Sequence, residues 1–342
     1  MDRNRDDRNV LVIGGAGYVG SPLVRRLLGS GSRVRVLDAL IYGHGSTLHD
    51  LLDEPRFSFL RGDYGDPGLL ERALQGITDV VLLAALVGDP ICKKYPELAK
   101  RINQESAAQL LARLDGSGVR RFVFVSTCSN YGLRSDSEAA TEEAELRPLS
   151  LYAEAKVEVE RLILEFRGSV SYSPTILRLA TAYGFSTRMR FDLTISQFAR
   201  EFALGNEFLV YDQETWRPYC HVEDIARAIE LVLDAPGEAV SGEVFNVGSD
   251  EENFTKRMIV EAILERLPDA RPRFKEGGFD PRNYRVSFEK IGSLLGFRNR
   301  HTVPVSIPHV IHAVRSGLFD DYEERKNFYG NYVVDEACLL KS

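Results

Sequence analysis

The first 184 residues alternate between short apolar runs and longer segments whose apolar positions lie three or four residues apart. Six of the short runs predict buried strands, namely "NVLVIGG", "RVRVLDA", "FSFLRGDYGD", "DVVLLAAL", "RRFVFVST" and "PTILRLATAYG". The segments between them predict helices, among them "VGSPLVRRLLGSG", residues 67–75, "PELAKRINQESAAQLLARLDGSG" and "SLYAEAKVEVERLILEFRG". Strands and helices that alternate at this spacing predict an α/β fold with a parallel sheet and helices on both faces.

The alternation weakens after Gly184. "HVEDIARAIELVLDAP" still predicts a helix, and "GEVFNVGS" predicts a seventh strand that rejoins the sheet. Beyond residue 250 the chain is rich in helix and loop, with Pro and Gly between them. We therefore expect a sheet domain over residues 1–184 and about 219–249, and a smaller C-terminal lobe over 185–218 and about 250–342.

Composition narrows the classes of partner. The 342 residues carry a net charge of -7, so no basic field favours a nucleic acid. The four cysteines lie far apart without a CxxC pair, so we expect neither a disulfide framework nor a metal site, and a reduced cytoplasmic setting fits best. The N-terminus is polar, and the longest apolar stretch, residues 80–87, is too short to span a membrane. We therefore expect neither a signal peptide nor a membrane segment.

A glycine-rich loop joins the first predicted strand to the first predicted helix. Gly14, Gly17 and Gly20 let the backbone turn tightly and approach a pyrophosphate, which the helix N-terminus attracts. Asp38 ends the second strand 18 residues after Gly20, where a carboxylate binds an adenosine ribose and favours NAD. The pattern predicts a Rossmann-type, doubly wound sheet that binds a dinucleotide at this loop. The alternative is that the glycines serve only the packing of the strand against the helix. Asp63 either contacts the adenine or is a plain turn aspartate.

Two Tyr-x-x-x-Lys pairs occur in the chain. Tyr152 and Lys156 lie on one face of a predicted helix, where a nearby ammonium lowers the pKa of a tyrosine and makes it usable as a base. Their helix follows the strand that ends in "STCSNYG" (126–132), so its first turn faces the ligand-binding edge of the sheet. Tyr322 and Lys326 lie in a polar region beyond the sheet, and we interpret them as a solvated helix face.

The combination resembles the extended short-chain dehydrogenase/reductase family, specifically its NAD-dependent nucleotide-sugar epimerases and dehydratases. The resemblance runs from Val10 to about Phe297 and rests on "GGAGYVG" (14–20), Asp38, "LAALVGDP" (83–90), Asn103, "STCSNYG", "YAEAK", Arg178, "RPYCHVED" (217–224) and "FNVGS" (245–249). It implies that the sheet domain binds NAD and that the smaller lobe binds a nucleotide-diphosphate sugar. It also implies a homodimer formed through helices near 97–114 and 150–166.

The resemblance implies a role for each matching position. Thr127 would hydrogen-bond the reacting sugar hydroxyl, Tyr152 would be the base, and Lys156 its partner, with Cys128 and Ser129 as further catalytic candidates. The resemblance also implies that Tyr152 and Lys156 contact the cofactor. The remaining implied cofactor contacts are Gly14, Gly17, Tyr18, Val19, Gly20, Asp38, Asp63, Tyr64, Leu83, Ala84, Ala85 and Asn103. The implied substrate contacts are Val87, Gly88, Thr127, Cys128, Ser129, Arg188, Arg217 and Arg282.

The shared first step of these enzymes is oxidation of a sugar hydroxyl, at C4, with NAD. The 4,6-dehydratases of the family carry an Asp-Glu pair directly after the threonine, where this chain has Cys128 and Ser129, so ordinary dehydration is disfavoured. Cys128 either acts as an acid/base or packs as a small side chain behind the loop. We expect a 4-epimerase; the alternatives are a C4 dehydrogenase, an atypical dehydratase, a C3/C5 epimerase, or a non-catalytic NAD-binding regulatory protein.

Overall fold

The computed structural model of the chain describes residues 7–134, 138–278 and 282–339. Within these ranges the strands are β1 (Asn9–Ile13), β2 (Arg33–Asp38), β3 (Phe57–Arg61), β4 (Asp79–Leu82), β5 (Arg121–Thr127), β6 (Ser173–Leu179), β7 (Thr181–Tyr183), β8 (Phe208–Tyr211), β9 (Trp216–His221), β10 (Glu243–Val247), β11 (Asn253–Thr255) and β12 (Pro272–Lys275). The α-helices are α1 (Gly20–Gly29), α2 (Pro67–Leu74), α3 (Asp89–Lys94), α4 (Pro96–Lys100), α5 (Ser106–Leu114), α6 (Leu151–Phe166), α7 (Thr194–Ala203), α8 (Val222–Asp234), α9 (Gly237–Val240), α10 (Lys256–Leu264), α11 (Glu289–Leu295) and α12 (Val303–Arg315).

The central sheet contains seven of the described strands, all parallel, in the order β10-β6-β5-β4-β1-β2-β3. Sequence order reverses beside β1, as in a doubly wound Rossmann-type sheet, so the predicted fold class is confirmed. The predicted seventh strand is β10, which pairs with β6 at the sheet edge. The predicted sixth strand divides, because the chain leaves the sheet after Leu179 and β7 pairs with β9 instead.

Strand alternation separates two apolar cores. Val10 and Val12 face a cluster built with α1 and α8, whereas Leu11 and Ile13 face a cluster built with α2, α5 and α6. Successive strand residues point to opposite faces, and both faces are covered, so the strands read as continuous apolar runs in the sequence.

A third apolar cluster forms from the later part of the chain. It packs α7, α10 and α12 around residues such as Phe198, Ile259 and Ile307. A three-stranded sheet, β11-β9-β7, and a parallel pair, β12-β8, lie beside it. The hydrophobic pattern did not indicate these small sheets. None of the helices in the described ranges has both the length and the apolar character required to cross a membrane.

Candidate active site

A cleft of about 650 Å³ opens at the carboxyl ends of the parallel strands. This volume lies within the range of about 300–1,000 Å³ that is usual for small-molecule sites, and this sheet edge is where open α/β folds bind ligands. The strand ends contribute Gly14, Asp38, Asp63, Leu83, Thr127 and Leu179 to its wall. Of the site residues predicted from the sequence, the wall includes every one except Asn103 and Cys128.

The glycine loop has the shape that a phosphate group requires. Gly14 has a φ of 88°, and a Cβ at this position would lie 2.6 Å from the Ala84 backbone nitrogen. A Cβ on Gly20 would overlap the Gly14 carbonyl oxygen, so only glycine fits where the strand turns into α1. The first turn of α1 carries no acidic residue, so the positive end of its dipole faces the loop without a neutralising carboxylate and favours an anion there.

Asp38 lies at the end of β2, where a dinucleotide would place its adenosine ribose. Its carboxylate accepts hydrogen bonds from Ala16 N (3.0 Å) and Leu40 N (2.9 Å). Burial opposes its ionisation, but His44 and these backbone donors outweigh burial and lower the pKa of Asp38. Next to it, Tyr42 Oη and His44 Nδ1 are buried in the cleft wall with no hydrogen-bond partner among the described residues.

These two unpartnered groups and the glycine turn fit a bound dinucleotide. Tyr42 and His44 were missed by the sequence analysis, although "IYGHGS" (41–46) begins three residues after Asp38 and must pass the same sheet edge. Asp63 closes a turn by accepting a hydrogen bond from Gly65 N (2.9 Å), as one of its alternatives expects, and it also lines the cleft. Its contact with the adenine stays a prediction.

The Tyr152/Lys156 pair lies in the first two turns of α6. Ser150 caps the helix by accepting a hydrogen bond from Ala153 N (3.3 Å), which fixes where the helix begins. Lys156 Nζ donates to the Val125 carbonyl (2.7 Å) and lies 6.0 Å from the centroid of the Tyr152 ring.

The electrostatics of this pair differ from the expectation. Burial raises the pKa of Tyr152, and nearby acidic groups add to this effect. Burial also lowers the pKa of Lys156 to about 8. The predicted lowering of the Tyr152 pKa is therefore not observed in this structure, because desolvation outweighs the attraction of an ammonium that is hydrogen-bonded to a carbonyl.

Side chains at the end of β5 and in the turn after it point in two directions, toward the cleft and toward the protein interior. Thr127 and Ser129 line the cleft, and Thr127 Oγ1 accepts from Ser129 N (3.1 Å). Cys128 is 1% exposed, and its thiol donates to the Arg178 carbonyl (3.3 Å), while burial raises its pKa well above the usual value. The structure thus contradicts the suggestion that Cys128 lines the substrate site, because the side chain packs behind the loop, as its alternative expects.

Asn103 is also placed away from the cleft wall. It is buried in a π-helical turn between α4 and α5, where Oδ1 accepts from Leu86 N (2.7 Å) and Nδ2 donates to Leu86 O (3.0 Å). These two bonds fix the loop that carries Val87 and Gly88 into the cleft. The predicted contact between Asn103 and the cleft is therefore not found. Asn103 instead holds in place the loop that forms part of the cleft wall.

Polar side chains converge near Thr127. Arg282 contacts Asp89 Oδ2 at 3.2 Å and Ser129 Oγ at 3.3 Å, and Tyr284 donates to Ser129 Oγ at 3.4 Å. The guanidinium of Arg217 lies 5.0 Å from the centroid of the Tyr284 ring. The sequence analysis missed Asp89 and Tyr284, although Asp89 lies within the quoted "LAALVGDP".

A second arginine group lies deeper along the cleft. Arg188 is 4% exposed and stacks 4.5 Å from the centroid of the Tyr42 ring. Arg190 is paired with Asp192 (2.5 Å), whereas Arg188 has no carboxylate partner in the part of the chain that the structure describes. Burial and the neighbouring Arg190 lower the pKa of Arg188 to about 10, and an anionic ligand here would be attracted by a guanidinium that makes no direct ion pair within the described residues.

Comparisons with known proteins agree with this geometry. The chain is 31% identical over 308 residues to dTDP-glucose 4,6-dehydratase from Actinoplanes sp., which covers 85% of this chain and 92% of that protein. It is 26% identical over 322 residues to UDP-glucuronic acid decarboxylase 1 from Arabidopsis thaliana, covering 92% of this chain and 71% of that protein.

Solved structures share the fold over nearly the whole chain. UDP-glucose 4-epimerase from Thermotoga maritima, with UDP-glucose, superposes with a TM-score of 0.80 at 26% identity and covers 91% of this chain and 99% of its own. The dTDP-glucose 4,6-dehydratase from Streptomyces venezuelae, with NAD bound, gives a TM-score of 0.81 at 27% identity, covering 94% and 98%. Residues 10–248 match the model of a single family. The chain therefore belongs to the NAD dependent epimerase/dehydratase family, whose members are NAD-dependent enzymes.

Proposed function

We propose that the chain is a nucleotide-sugar 4-epimerase that acts through a transient 4-keto sugar. The observation that carries this proposal is the composition of one end of the cleft. Thr127, Tyr152 and Lys156 line it together, while the residue that follows Thr127 is a buried cysteine and not an acid. This end is equipped to oxidise and reduce a hydroxyl carbon, and lacks the usual groups for expelling water.

When bound, NAD supplies the chemistry of taking up and returning a hydride. The residues of the chain move the proton and hold the sugar. Tyr152 accepts the proton of the C4 hydroxyl during oxidation and returns it during reduction, and Thr127 Oγ1 hydrogen-bonds the same hydroxyl. Lys156 Nζ lies 6.0 Å from the centroid of the Tyr152 ring, and its positive charge acts against the effect of burial, which disfavours the Tyr152 phenolate.

A specific observation favours a second candidate function. Asp89 lines the same end of the cleft from the opposite loop, and its Oδ1 has no hydrogen-bond partner among the described residues. A carboxylate at this place could act as acid or base on a carbon or hydroxyl next to the ketone. The second candidate is therefore a 4-keto-forming enzyme with a further proton transfer, either an atypical dehydratase or a C3/C5 epimerase.

A nucleotide-diphosphate sugar is the substrate class that we propose. Arg188, Arg217 and Arg282 lie along the cleft wall, and guanidinium groups suit the oxygens of a diphosphate. The neighbouring structure that carries UDP-glucose supports this class. The division into a cofactor domain and a substrate lobe is part of this proposal. The homodimer and the cytoplasmic location stay predictions from the sequence.

Turnover in heavy water tests the proposal. A simple 4-epimerase leaves the carbon-bound mass of the sugar unchanged and accumulates no NADH. A C3 or C5 epimerase incorporates deuterium, a dehydratase loses water, and a dehydrogenase accumulates NADH. Each of the latter results, obtained with a panel of UDP- and dTDP-sugars, would contradict the 4-epimerase.

The tyrosine assignment is tested separately. Tyr152→Phe removes the proton-accepting oxygen, so we expect a loss of turnover of at least about 10²-fold. The circular dichroism spectrum and the bound NAD content should remain unchanged. Activity near that of the wild type would show that Tyr152 is not the base.

A further inference from the structure

The C-terminal segment completes the cleft although it lies outside every motif used above. We define residues 327–339 as the C-terminal strap. The family match ends at residue 248, and the resemblance in the sequence ends near Phe297. Yet Asn331, Tyr332 and Leu339 belong to the cleft wall, beside the glycine loop and Asp38.

Asn331 joins the strap to two other parts of the wall. It is 8% exposed, and its Nδ2 donates to the Val87 carbonyl at 3.0 Å. Its Oδ1 accepts from Arg188 Nη2 at 2.8 Å, and its backbone N–H donates to Asp192 Oδ2 at 3.1 Å. One asparagine thus connects the loop after β4 with the arginine group that lies before α7.

The rest of the strap crosses the edge of the sheet. Lys94 Nζ donates to the Tyr332 carbonyl at 3.3 Å, and Asp335 N donates to the Ile41 carbonyl, after β2, at 3.0 Å. Farther along, Arg61 at the end of β3 contacts the sulfur of Cys338 at 3.4 Å. Together with the bond from Asn331 to Val87 in the loop after β4, these contacts take the strap past the ends of β4, β2 and β3 in turn.

The strap is held as a defined structure and is not a loosely attached tail. Asn327 Oδ1 accepts from Val333 N at 2.9 Å, and Asn327 Nδ2 donates to Val333 O at 2.8 Å, which closes a turn at its start. Val334 is 5% exposed and packs into the core cluster under β2 and β4. Moving the strap away from the cleft breaks these contacts together, so opening has an energetic cost.

We propose that the C-terminal strap is part of the NAD site and limits the release of the cofactor, with Asn331 as its positioning residue. The strand ends that it crosses are those that carry Asp38, Asp63 and Leu83, the wall that faces the adenosine half of a dinucleotide. A molecule of that length leaves only after the strap gives up its bonds to Val87 and Ile41.

Retention of the cofactor bears on the reaction class. An enzyme that returns the hydride to its substrate needs no exchange of NAD between turnovers, whereas a net dehydrogenase must release NADH each time. The strap therefore favours a reaction without net oxidation. This consequence relies on the proposed function, but the release of NAD itself does not, because it is measured without any sugar.

The test measures the dissociation of labelled NAD from the full-length protein after a chase with unlabelled NAD. Asn331→Ala removes two side-chain hydrogen bonds at the cleft, and we expect NAD to dissociate at least about tenfold faster. Leu339→Ala, at the far end of the strap, should also increase the rate and leaves the buried bonds in place. Asn253→Ala is the matched control, because Asn253 makes comparable bonds to Val286 away from the cleft.

Two outcomes would overturn the proposal. One is a wild-type dissociation rate in both Asn331→Ala and Leu339→Ala. The other is an equal acceleration in Asn253→Ala, which would show that general destabilisation and not the strap controls release. Failure of the 4-epimerase assignment would leave these rates unchanged, so the two proposals fail independently.

Discussion

Arg178 and Glu160 form a buried two-point ion pair, in which Nη2 and Nε of the arginine donate to Oε2 of the glutamate at 2.7 and 3.1 Å. Glu160 Oε1 also accepts hydrogen bonds from Ser126 Oγ and from Asn130 Nδ2, the latter at 2.8 Å. Ser126 and Thr127 are the last two residues of β5, and Asn130 lies in the 3-10 turn that follows it. One carboxylate of α6 therefore fixes, from behind, the strand end and the turn on either side of Thr127, which lines the cleft.

We expect Glu160→Gln to destabilise the protein strongly. The substitution keeps the volume but leaves the Arg178 guanidinium, which is 3% exposed, without a compensating charge. Breaking a buried pair in this way costs about 3–5 kcal/mol in the free energy of unfolding. Denaturant unfolding measures it, and Glu158→Gln is the control, because Glu158 pairs with Arg161 on the exposed face of the same helix. Equal losses in the two variants would contradict the role assigned to the pair.

The strands and the cofactor edge of this fold were predictable from local pattern. Buried parallel strands give uninterrupted apolar runs, and Gly14 and Asp38 stand at fixed distances from the first two of them. The packing of the later helices and the strap was not predictable, because Asn331 reaches Val87 over 244 positions of the chain. No local spacing encodes such a contact.

Side-chain environment was harder to predict than position. Helical periodicity correctly placed Tyr152 and Lys156 on one face, but it gave no information on burial, which sets the direction of both pKa shifts. Similarly, the pattern "STCSNYG" did not reveal that the chain turns into a 3-10 helix at Cys128 and points the thiol inward. Tyr322, expected on a solvated face, is 7% exposed and packs under Arg200, whose guanidinium lies 3.6 Å from its ring centroid.

The pKa of Lys156 predicts the alkaline limit of activity. Burial lowers this pKa to about 8, so the ammonium is lost as the pH rises through that value. If the charged form supports Tyr152, kcat/KM should fall above about pH 8. Lys156→Arg retains the charge and should move the fall to higher pH, whereas Lys326→Arg in the second Tyr-x-x-x-Lys pair should leave the profile unchanged. An unaltered profile in Lys156→Arg would assign the alkaline limit to another group.

Two substitutions in the loop after β5 distinguish the role of the Cys128 thiol from the role of the Ser129 hydroxyl. Cys128→Ala should retain turnover within about threefold of the wild type and lower the free energy of unfolding by about 1 kcal/mol, because it removes a buried sulfur. Ser129→Ala should instead raise KM severalfold, since Ser129 Oγ contacts both Arg282 and Tyr284 in the cleft wall. Steady-state kinetics distinguish the two. A loss of about 10²-fold in Cys128→Ala with an intact fold would return the thiol to the mechanism.

Glu252 makes the stability of the protein depend on pH. It is 3% exposed, accepts hydrogen bonds from Tyr183 Oη and Val303 N at 3.0 Å each, and burial raises its pKa to about 7. A carboxyl group whose pKa is higher in the folded than in the unfolded state stabilises the protein below its unfolded pKa, and this contribution is lost as the pH rises through about 7.

Glu252→Gln keeps both hydrogen-bond acceptor contacts through its amide oxygen and does not titrate. We therefore expect the variant to lose less stability than the wild type between about pH 5 and pH 8, by up to about 3 kcal/mol. Denaturant unfolding at the two pH values measures the difference, and subtraction of the wild type removes the titration of other groups. Glu251→Gln is the matched control, because Glu251 is exposed and its pKa is lowered, which places its titration below this window. Parallel pH profiles for Glu252→Gln and the wild type would show that Glu252 is ionised throughout, and that Tyr183 and Val303 suffice to hold its charge.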